Sequence, residues 1–340
     1  MNGTSDKSGS FSATIGSLSA NTTYYYKAYV AEYNASTGNV DYIYGERLSF
    51  KTTSGSSSID RKYLDNYEVP AITVTSMSSG DEAWGDTQYY VYGTANSNRK
   101  VITHTFLSNG HEECNYTVLY DTQKHCPIWT AHVMNTSTWG DNGYSRSDAW
   151  GYDPAIYSDY QNTGLSNAST VGYSRGHFVA SNYRKTTDEQ NHQTFYYTNQ
   201  APQWQNGFNS GVWSTLENKV KDAAPSGSNK MLYVVTGVLF EDVEGIPKTL
   251  PSGSMTVSIP SHFYMCLMMC TLNSSGTITG AQGIAYVYTN KSHTGESYYA
   301  DDYVTTIDEI ESRAGFDFFP NVPISLQTTA EKTKTPLWTY

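Results

Sequence analysis

Apolar and polar positions alternate with the period of a strand through most of this chain, interrupted by two stretches of helical period. Residues 98–135 (NRKVITHTFLSNGHEECNYTVLYDTQKHCPIWTAHVMN) predict three strands, with Asn109-Gly110 as a turn between the first two. KMLYVVTGVLF at 230–240 is a near-continuous apolar run, the pattern of a strand covered on both faces. SMTVSIPSHFYMCLMMC at 254–270 and TITGAQGIAYVYTN at 277–290 add further strands, and VPAITVTSM at 69–77 and QYYVYG at 88–93 shorter ones. One helix is predicted where Asn209, Trp213, Leu216 and Val220 recur at helical spacing, ended by Pro225-Ser-Gly. A second begins at Thr305 or Thr306, where Thr306 and Glu309 make a capping box. Residues 137–164 read as a long polar loop carrying Trp139 and Trp150.

The first 53 residues have a different texture. FSATIGSLSANTTYYYKAYVAEY predicts strands around a turn at 19–21, and NVDYIYGERLSFKTT a strand pair with its turn near Gly45. SGSSS at 54–58 is a linker by composition, and 59–68 a short helix or irregular connection. The expected organisation is a β module at 1–53, a linker at 54–68, connecting strands at 69–97 and the main domain at 98–340.

A chain of 340 residues with 38% hydrophobic and 16% charged positions is long and apolar enough for one large core and a smaller module. Thirty tyrosines, with many Ser, Thr, Asn and Gly, suit a strand-rich extracellular protein. The expected location is secreted or cell-surface, in a bacterium. MNGTSDKSGS has no apolar signal region, so a signal or anchor is expected to be missing from the sequence as given, and no run of about 18–20 apolar residues spans a membrane. A net charge of −11 gives no overall basic field for nucleic acid. The field can still be locally basic: Arg175, Arg184, Lys185, Lys219 and Lys221 fall within 171–221, against Asp188, Glu189 and Glu217.

Cysteine and histidine spacing argues against zinc. Cys114 and Cys126 flank a predicted hairpin that could oppose them as a disulfide. Cys266 and Cys270, on one face of a regular strand, are too far apart to bridge and are expected as buried thiols.

The chemistry gathers in 171–221: a Ser174-Arg175-Gly176-His177 turn, an aromatic strand at 195–197, a loop NQAPQ at 199–203, and the first helix. A neutral imidazole at His177 can take a proton from water near neutral pH. Arg175, two residues away, shares its side of an extended segment. Asn209 and Glu217, eight apart, face one cleft if a single helix carries both. Oxygen donors of this kind suit Mg²⁺, and an arginine with a divalent cation balances the charge of a phosphodiester under attack. Trp213, Leu216 and Val220 are expected in the core, Trp139, Trp150 and Trp204 in local loop packing, and Arg184 with Lys185 as a solvated pair.

Four blocks in order resemble the DNA/RNA non-specific endonuclease family, the ββα-metal nucleases: Ser174-Arg175-Gly176-His177, Thr198-Asn199-Gln200-Ala201-Pro202-Gln203, Asn209 through Glu217, and Ile307-Asp308-Glu309-Ile310-Glu311 with Gly315-Phe316-Asp317-Phe318-Phe319. The likeness covers about 98–325. It implies an α+β fold with a central antiparallel sheet flanked by helices, and Mg²⁺-dependent (or Mn²⁺-dependent) hydrolysis of DNA and RNA. It makes His177 the general base, Asn209 the direct metal ligand and Glu217 a holder of metal-bound waters. Arg175 and Asn199 would support phosphate and site geometry. Lys221 stands where the family often has an arginine, and Arg146 is the nearest match to a further arginine upstream. Ser174 departs from the family's Asp. Residues 1–53 resemble the second half of a fibronectin type III module, more readily a spacer than a ligand binder. The alternative function is a catalytically silent nucleic-acid-binding or adhesive surface protein that keeps the nuclease fold.

Overall fold

The computed structural model describes residues 23–34, 39–51 and 59–338, apart from 138, 141, 163, 164, 166, 167, 253, 254 and 300. The chain divides into two compact units, 1–59 and 60–340. In the first, β1 (Thr23–Tyr26) pairs with β4 (Leu48–Lys51), and β2 (Tyr29–Asn34) with β3 (Asn39–Tyr44). This corrects the strand pair expected around Gly45. Strands β3 and β4 each pair with an earlier strand, and the Gly45 N–H donates to the Ala28 carbonyl. The turn expected at 19–21 lies outside the described residues.

The second unit is built on a nine-stranded sheet. A meander of β5 (Val74–Asp81), β6 (Gln88–Thr94), β7 (Arg99–Ser108), β8 (His111–Asp121) and β9 (Cys126–Met134) forms one half. The strands read as connecting, 69–97, supply its outer members. Asn109 and Gly110 both adopt positive φ, so the Asn-Gly turn stands where it is expected. Outside the sheet, β10 (Tyr173–His177) and β11 (Gln200–Trp204) make a separate ribbon, with α1 (Asp188–Gln193) between them and α2 (Ser214–Ala223) after them. The other half of the sheet follows: β12 (Lys230–Leu239), then after a small hairpin of β13 (Thr249–Ser252) and β14 (Met255–Ser258), β15 (His262–Leu272), β16 (Ile278–Thr289) and β17 (Val304–Thr305). The spatial order is β17-β16-β15-β12-β9-β8-β7-β6-β5, antiparallel throughout. Two helices close the chain, α3 (Ile307–Ala314) and α4 (Ile324–Glu331).

Both faces of this sheet are covered, as the apolar run of β12 requires. Successive residues of a strand point to opposite faces. On β15, the Phe263 ring packs 5.8 Å from Trp213, while the next residue, Tyr264, packs 5.8 Å from Phe318. Thus α2 lies on one face and the segment after α3 on the other. Trp213, Leu216 and Val220 are wholly buried, each stabilising the docked helix by roughly 1.5–3 kcal/mol. Thr306 caps α3, its hydroxyl accepting from the Glu309 N–H at 3.2 Å, and Gly315 ends it at φ 73°.

Two expectations about side chains are corrected. Cys114 and Cys126 are free and buried, because register sets Cys126 opposite Asp121 at one end of β8 while Cys114 pairs with Thr105 of β7 near the other. Cys266 and Cys270 are the buried thiols expected. Arg184 is wholly buried, donating to the Asn115 and Val133 carbonyls at 3.1 and 3.0 Å. It holds β8 and β9 to the segment leaving the ribbon, and is no solvated neighbour of Lys185.

Candidate active site

The β10–β11 ribbon followed by α2 forms a ββα unit, and it reverses three local expectations. Ser174-Arg175-Gly176-His177 is a strand, in register with Gln203, Pro202, Ala201 and Gln200. The 199–203 loop is therefore mostly its partner strand, and Pro202 is tolerated because a two-stranded ribbon leaves an edge. The aromatic run 195–197 is no strand: it forms turns after α1, touching β structure through the Gly151–Tyr196 bridge. Gly176 is needed for close approach, since a Cβ there would lie 2.5 Å from the Gln203 side chain.

His177 leaves the ribbon half-buried and stands between two aromatic rings. Trp150 lies 4.8 Å away and Phe195 packs edge-on at 5.2 Å. Each ring also carries a guanidinium, with Arg175 5.1 Å from Trp150 and Arg146 4.8 Å from Phe195. Burial first, then the Arg146 charge, pushes the imidazole down to about 3, so the ring is neutral at physiological pH. Its Nε2 is enclosed and has no hydrogen-bond partner among the described residues.

Arg146 is tied by Asp148 Oδ1 at 2.7 Å and donates to Ser181 Oγ at 2.8 Å. Its charge also acts on Glu217, which burial pushes up to about 8 against the Trp213 indole N–H, 3.1 Å from Oε1, and Arg146 itself. One arginine thus links His177 on the ribbon with Glu217 on α2. Lys221, one turn further on α2, donates to Asn182 Oδ1 at 2.8 Å.

Asn209 does not share a helix with Glu217. Residues Gln205–Trp213 form a kinked segment in which Asn206, Gly207, Ser210 and Gly211 leave helical φ/ψ, and α2 starts only at Ser214. Gly207 takes φ 76°, and a Cβ there would lie 2.4 Å from Thr294 Oγ1, so glycine is required. Trp213 is the N-cap residue of α2, so Asn209 is no helix cap. The Asn209 amide donates to Ser174 Oγ at 2.6 Å and Gln205 Oε1 at 3.3 Å. Ser174 in turn donates to the Gln203 carbonyl at 3.2 Å. With both amide protons engaged, Asn209 Oδ1 has no donor among the described residues. An open cleft of about 450 Å³, lined by Gly172, Tyr173, Ser174, Arg175, Gln205 and Asn206, adjoins this anchor.

Asn199 is the site residue whose expected phosphate role the structure does not support. It is wholly buried, accepts from the Val179 N–H at 2.9 Å, and donates to the Val179 and Thr194 carbonyls at 3.0 and 2.8 Å. Its carbonyl oxygen and one amide proton fix the backbone just after His177, and the other amide proton ties this to Thr194, so it supports the site's geometry. Trp150, expected in local loop packing, and Phe195, expected in a strand, together form the wall around His177.

Beneath the site lies a charged cluster missed in the sequence. His104 of β7 is wholly buried, with Nδ1 2.8 Å from Glu82 Oε1 and Nε2 3.1 Å from Asp153 Oδ2. Ionised carboxylates only accept, so between two charged acids both ring nitrogens carry protons. Burial opposes this, but the Asp153 and Glu82 charges outweigh it and hold the imidazole up at about 10. Tyr196 donates to Glu82 Oε2 at 3.0 Å, and Thr198 donates to Asp153 Oδ2.

Comparison with known proteins agrees with this architecture. A nuclease of Nostoc sp. is 28% identical over 225 residues, covering 64% of this chain and 75% of its own length. Nuclease C1 of Cunninghamella echinulata is 26% identical over 63% of this chain and 84% of its own, and the mitochondrial nuclease EXOG of Xenopus laevis 27% over 61% and 57%. The solved EndoG/EndoGI complex superposes with a TM-score of 0.51 at 23% identity, covering 66% of this chain and 88% of that one, a likeness of fold. The sequence pattern of one family matches residues 97–325, spanning the sheet from β7 to β17, the ribbon, α2 and α3, and by that match the chain belongs to the DNA/RNA non-specific endonucleases, a family of hydrolytic nucleases.

Proposed function

We propose that this chain is a divalent-cation-dependent endonuclease, using Mg²⁺, that hydrolyses DNA and RNA with little sequence preference, and that His177 is its general base. The observation that carries the reading is a neutral imidazole held on a ββα unit between two rings that each bear an arginine. Phosphate contacts from Arg175, Arg146 and Lys221 carry no base information, which fits a broad substrate range. The donor set fits Mg²⁺: Asn209 offers a carbonyl oxygen whose amide end is anchored, and Glu217, whose burial favours its proton, would become a carboxylate for metal-bound waters once the cation's charge is beside it. When bound, the cation would offset the charge gathering on the phosphate and the leaving oxygen. His177 takes a proton from the attacking water, and Trp150 and Phe195 fix the plane of its ring. A working place outside the cell belongs to the same proposal and rests on composition alone.

The test is purified protein with plasmid DNA and single-stranded RNA, in Mg²⁺ and in EDTA. Both substrates should be cut in Mg²⁺ and neither in EDTA. Binding of both without cleavage under any divalent cation would establish the silent binding protein instead.

Ser174 then acquires a role as the residue that orients Asn209. Ser174→Ala should raise the Mg²⁺ concentration needed for half-maximal cleavage by about tenfold, with the rate at saturating Mg²⁺ nearly kept. Ser174→Asp should restore an acceptor for the amide and stay close to wild type in that titration. An unchanged Mg²⁺ requirement in Ser174→Ala would remove the serine from the metal's support.

A further inference from the structure

On the face of the sheet opposite α2, α3 and α4 cross β16 at Gly283. A Cβ at that position would lie 2.5 Å from the Ala330 carbonyl oxygen and 2.9 Å from Ile307 Cδ1, so the glycine lets both helices settle onto the strand. Next to these contacts, Asp308 and Glu311 occupy one face of α3, three residues apart, and Glu331 is the last residue of α4. One carboxylate oxygen from each lies within 4.8 Å of the others. Such a spread can be spanned by one calcium coordination sphere, whose metal–oxygen distance is about 2.4 Å.

Acidic clusters are common on protein surfaces, but this one runs inward: Asp308 and Glu311 are partly exposed and Glu331 is buried. Glu331 is 5% exposed, and its Oε1 is enclosed without a hydrogen-bond partner among the described residues. Glu311 is half-buried and accepts from the Phe318 N–H at 2.6 Å, which fixes its carboxylate toward the cluster's side of α3. Asp317, the nearest further acid, is engaged by the Gln327 amide at 3.2 Å. Among the described residues no lysine, arginine or histidine forms an ion pair with any of the three. A buried acid with an open oxygen and two acids beside it needs either protons or a cation.

We propose that Asp308, Glu311 and Glu331 form a calcium site that clasps α3 to the end of α4. The ligands are all hard oxygens from flexible side chains, which Ca²⁺ accepts in irregular geometry, whereas Mg²⁺ demands near-octahedral order at shorter distance. The site is separate from the ribbon and does not depend on the nuclease reading. Its effect is on the C-terminal helices, which order on the sheet more firmly when the cation is present.

The experiment is thermal unfolding in EDTA and in millimolar Ca²⁺, with calorimetric counting of bound Ca²⁺. Wild type should gain roughly 5 °C in Ca²⁺. Glu331→Gln should lose that gain, yet melt no lower than wild type in EDTA, because a like charge has been removed. Asp308→Asn should behave in the same way. To keep the active-site cation out of the count, calorimetry is repeated in Asn209→Ala. One Ca²⁺ should remain there and vanish in Asn209→Ala/Glu331→Gln. Cleavage by Glu331→Gln in Mg²⁺ should stay within twofold of wild type. The proposal is overturned if Glu331→Gln keeps the Ca²⁺ gain, or if Asn209→Ala binds no Ca²⁺. A Glu331→Gln protein that melts well below wild type in EDTA would likewise overturn it, since the acid would then serve packing rather than a cation.

Discussion

Replacing His177 by alanine should lower cleavage of plasmid DNA and RNA by about 10³-fold while leaving nucleic-acid affinity and the fold intact, because general-base catalysis is worth about 10²–10⁴-fold. The separation of rate from binding follows from the geometry. Arg175 and Arg146 sit on the neighbouring rings and not on the imidazole, so the phosphate contacts outlast its removal. Trp150 and Phe195 are 5.0 Å apart and edge-on to each other, so the wall has a packing of its own. Circular dichroism and the melting temperature check the fold, and filter binding checks affinity. Added imidazole should recover part of the lost rate by entering the space between the rings. A variant that still cuts at a tenth of the wild-type rate, or that loses rate only through affinity, would remove His177 from the role of base.

The resemblance to a family placed the four motif blocks, and the apolar strands and α2 followed from pattern, while the ribbon did not. What escaped the pattern did so for definite reasons. Ser and Gly made 174–177 look like a turn, yet Gly176 is there to let two strands approach, a demand visible only when the Gln203 side chain is in place. The helical stripe from Asn209 to Val220 counted through Ser210 and Gly211, which leave helical φ/ψ, so Asn209 meets the site from a kink anchored by Ser174. Ser174, the departure from the family's Asp, is the residue that accepts from the Asn209 amide. Cys114 and Cys126 show the limit of hairpin reasoning: register, and not proximity to the turn, decides which residues oppose each other. Arg146, from the loosest alignment, is brought to both His177 and Glu217.

Glu82, His104 and Asp153 were illegible for another reason. No spacing rule joins three residues so far apart, and a buried ion cluster leaves no periodic trace. Its position gives it weight. His104 is on β7, Glu82 at the end of β5, Asp153 in the loop that carries Trp150, and Thr198 next to Asn199. One imidazolium thus pins the sheet to the two segments that wall His177. His104→Gln should cost about 3–5 kcal/mol in urea unfolding near pH 6, since removing one partner leaves two buried carboxylates without their cation. The pH dependence has a fixed sign. The folded-state value, about 10, is raised above the ordinary histidine value, so the stabilisation is complete below about pH 6.5. It is lost progressively as pH rises from there through 10. The gap between wild type and His104→Gln should therefore narrow from pH 6 to pH 10, with the variant supplying the baseline for all other titrations. A gap that stays constant across that range would mean that His104 is neutral in the folded protein and that the cluster is held by protons on its acids.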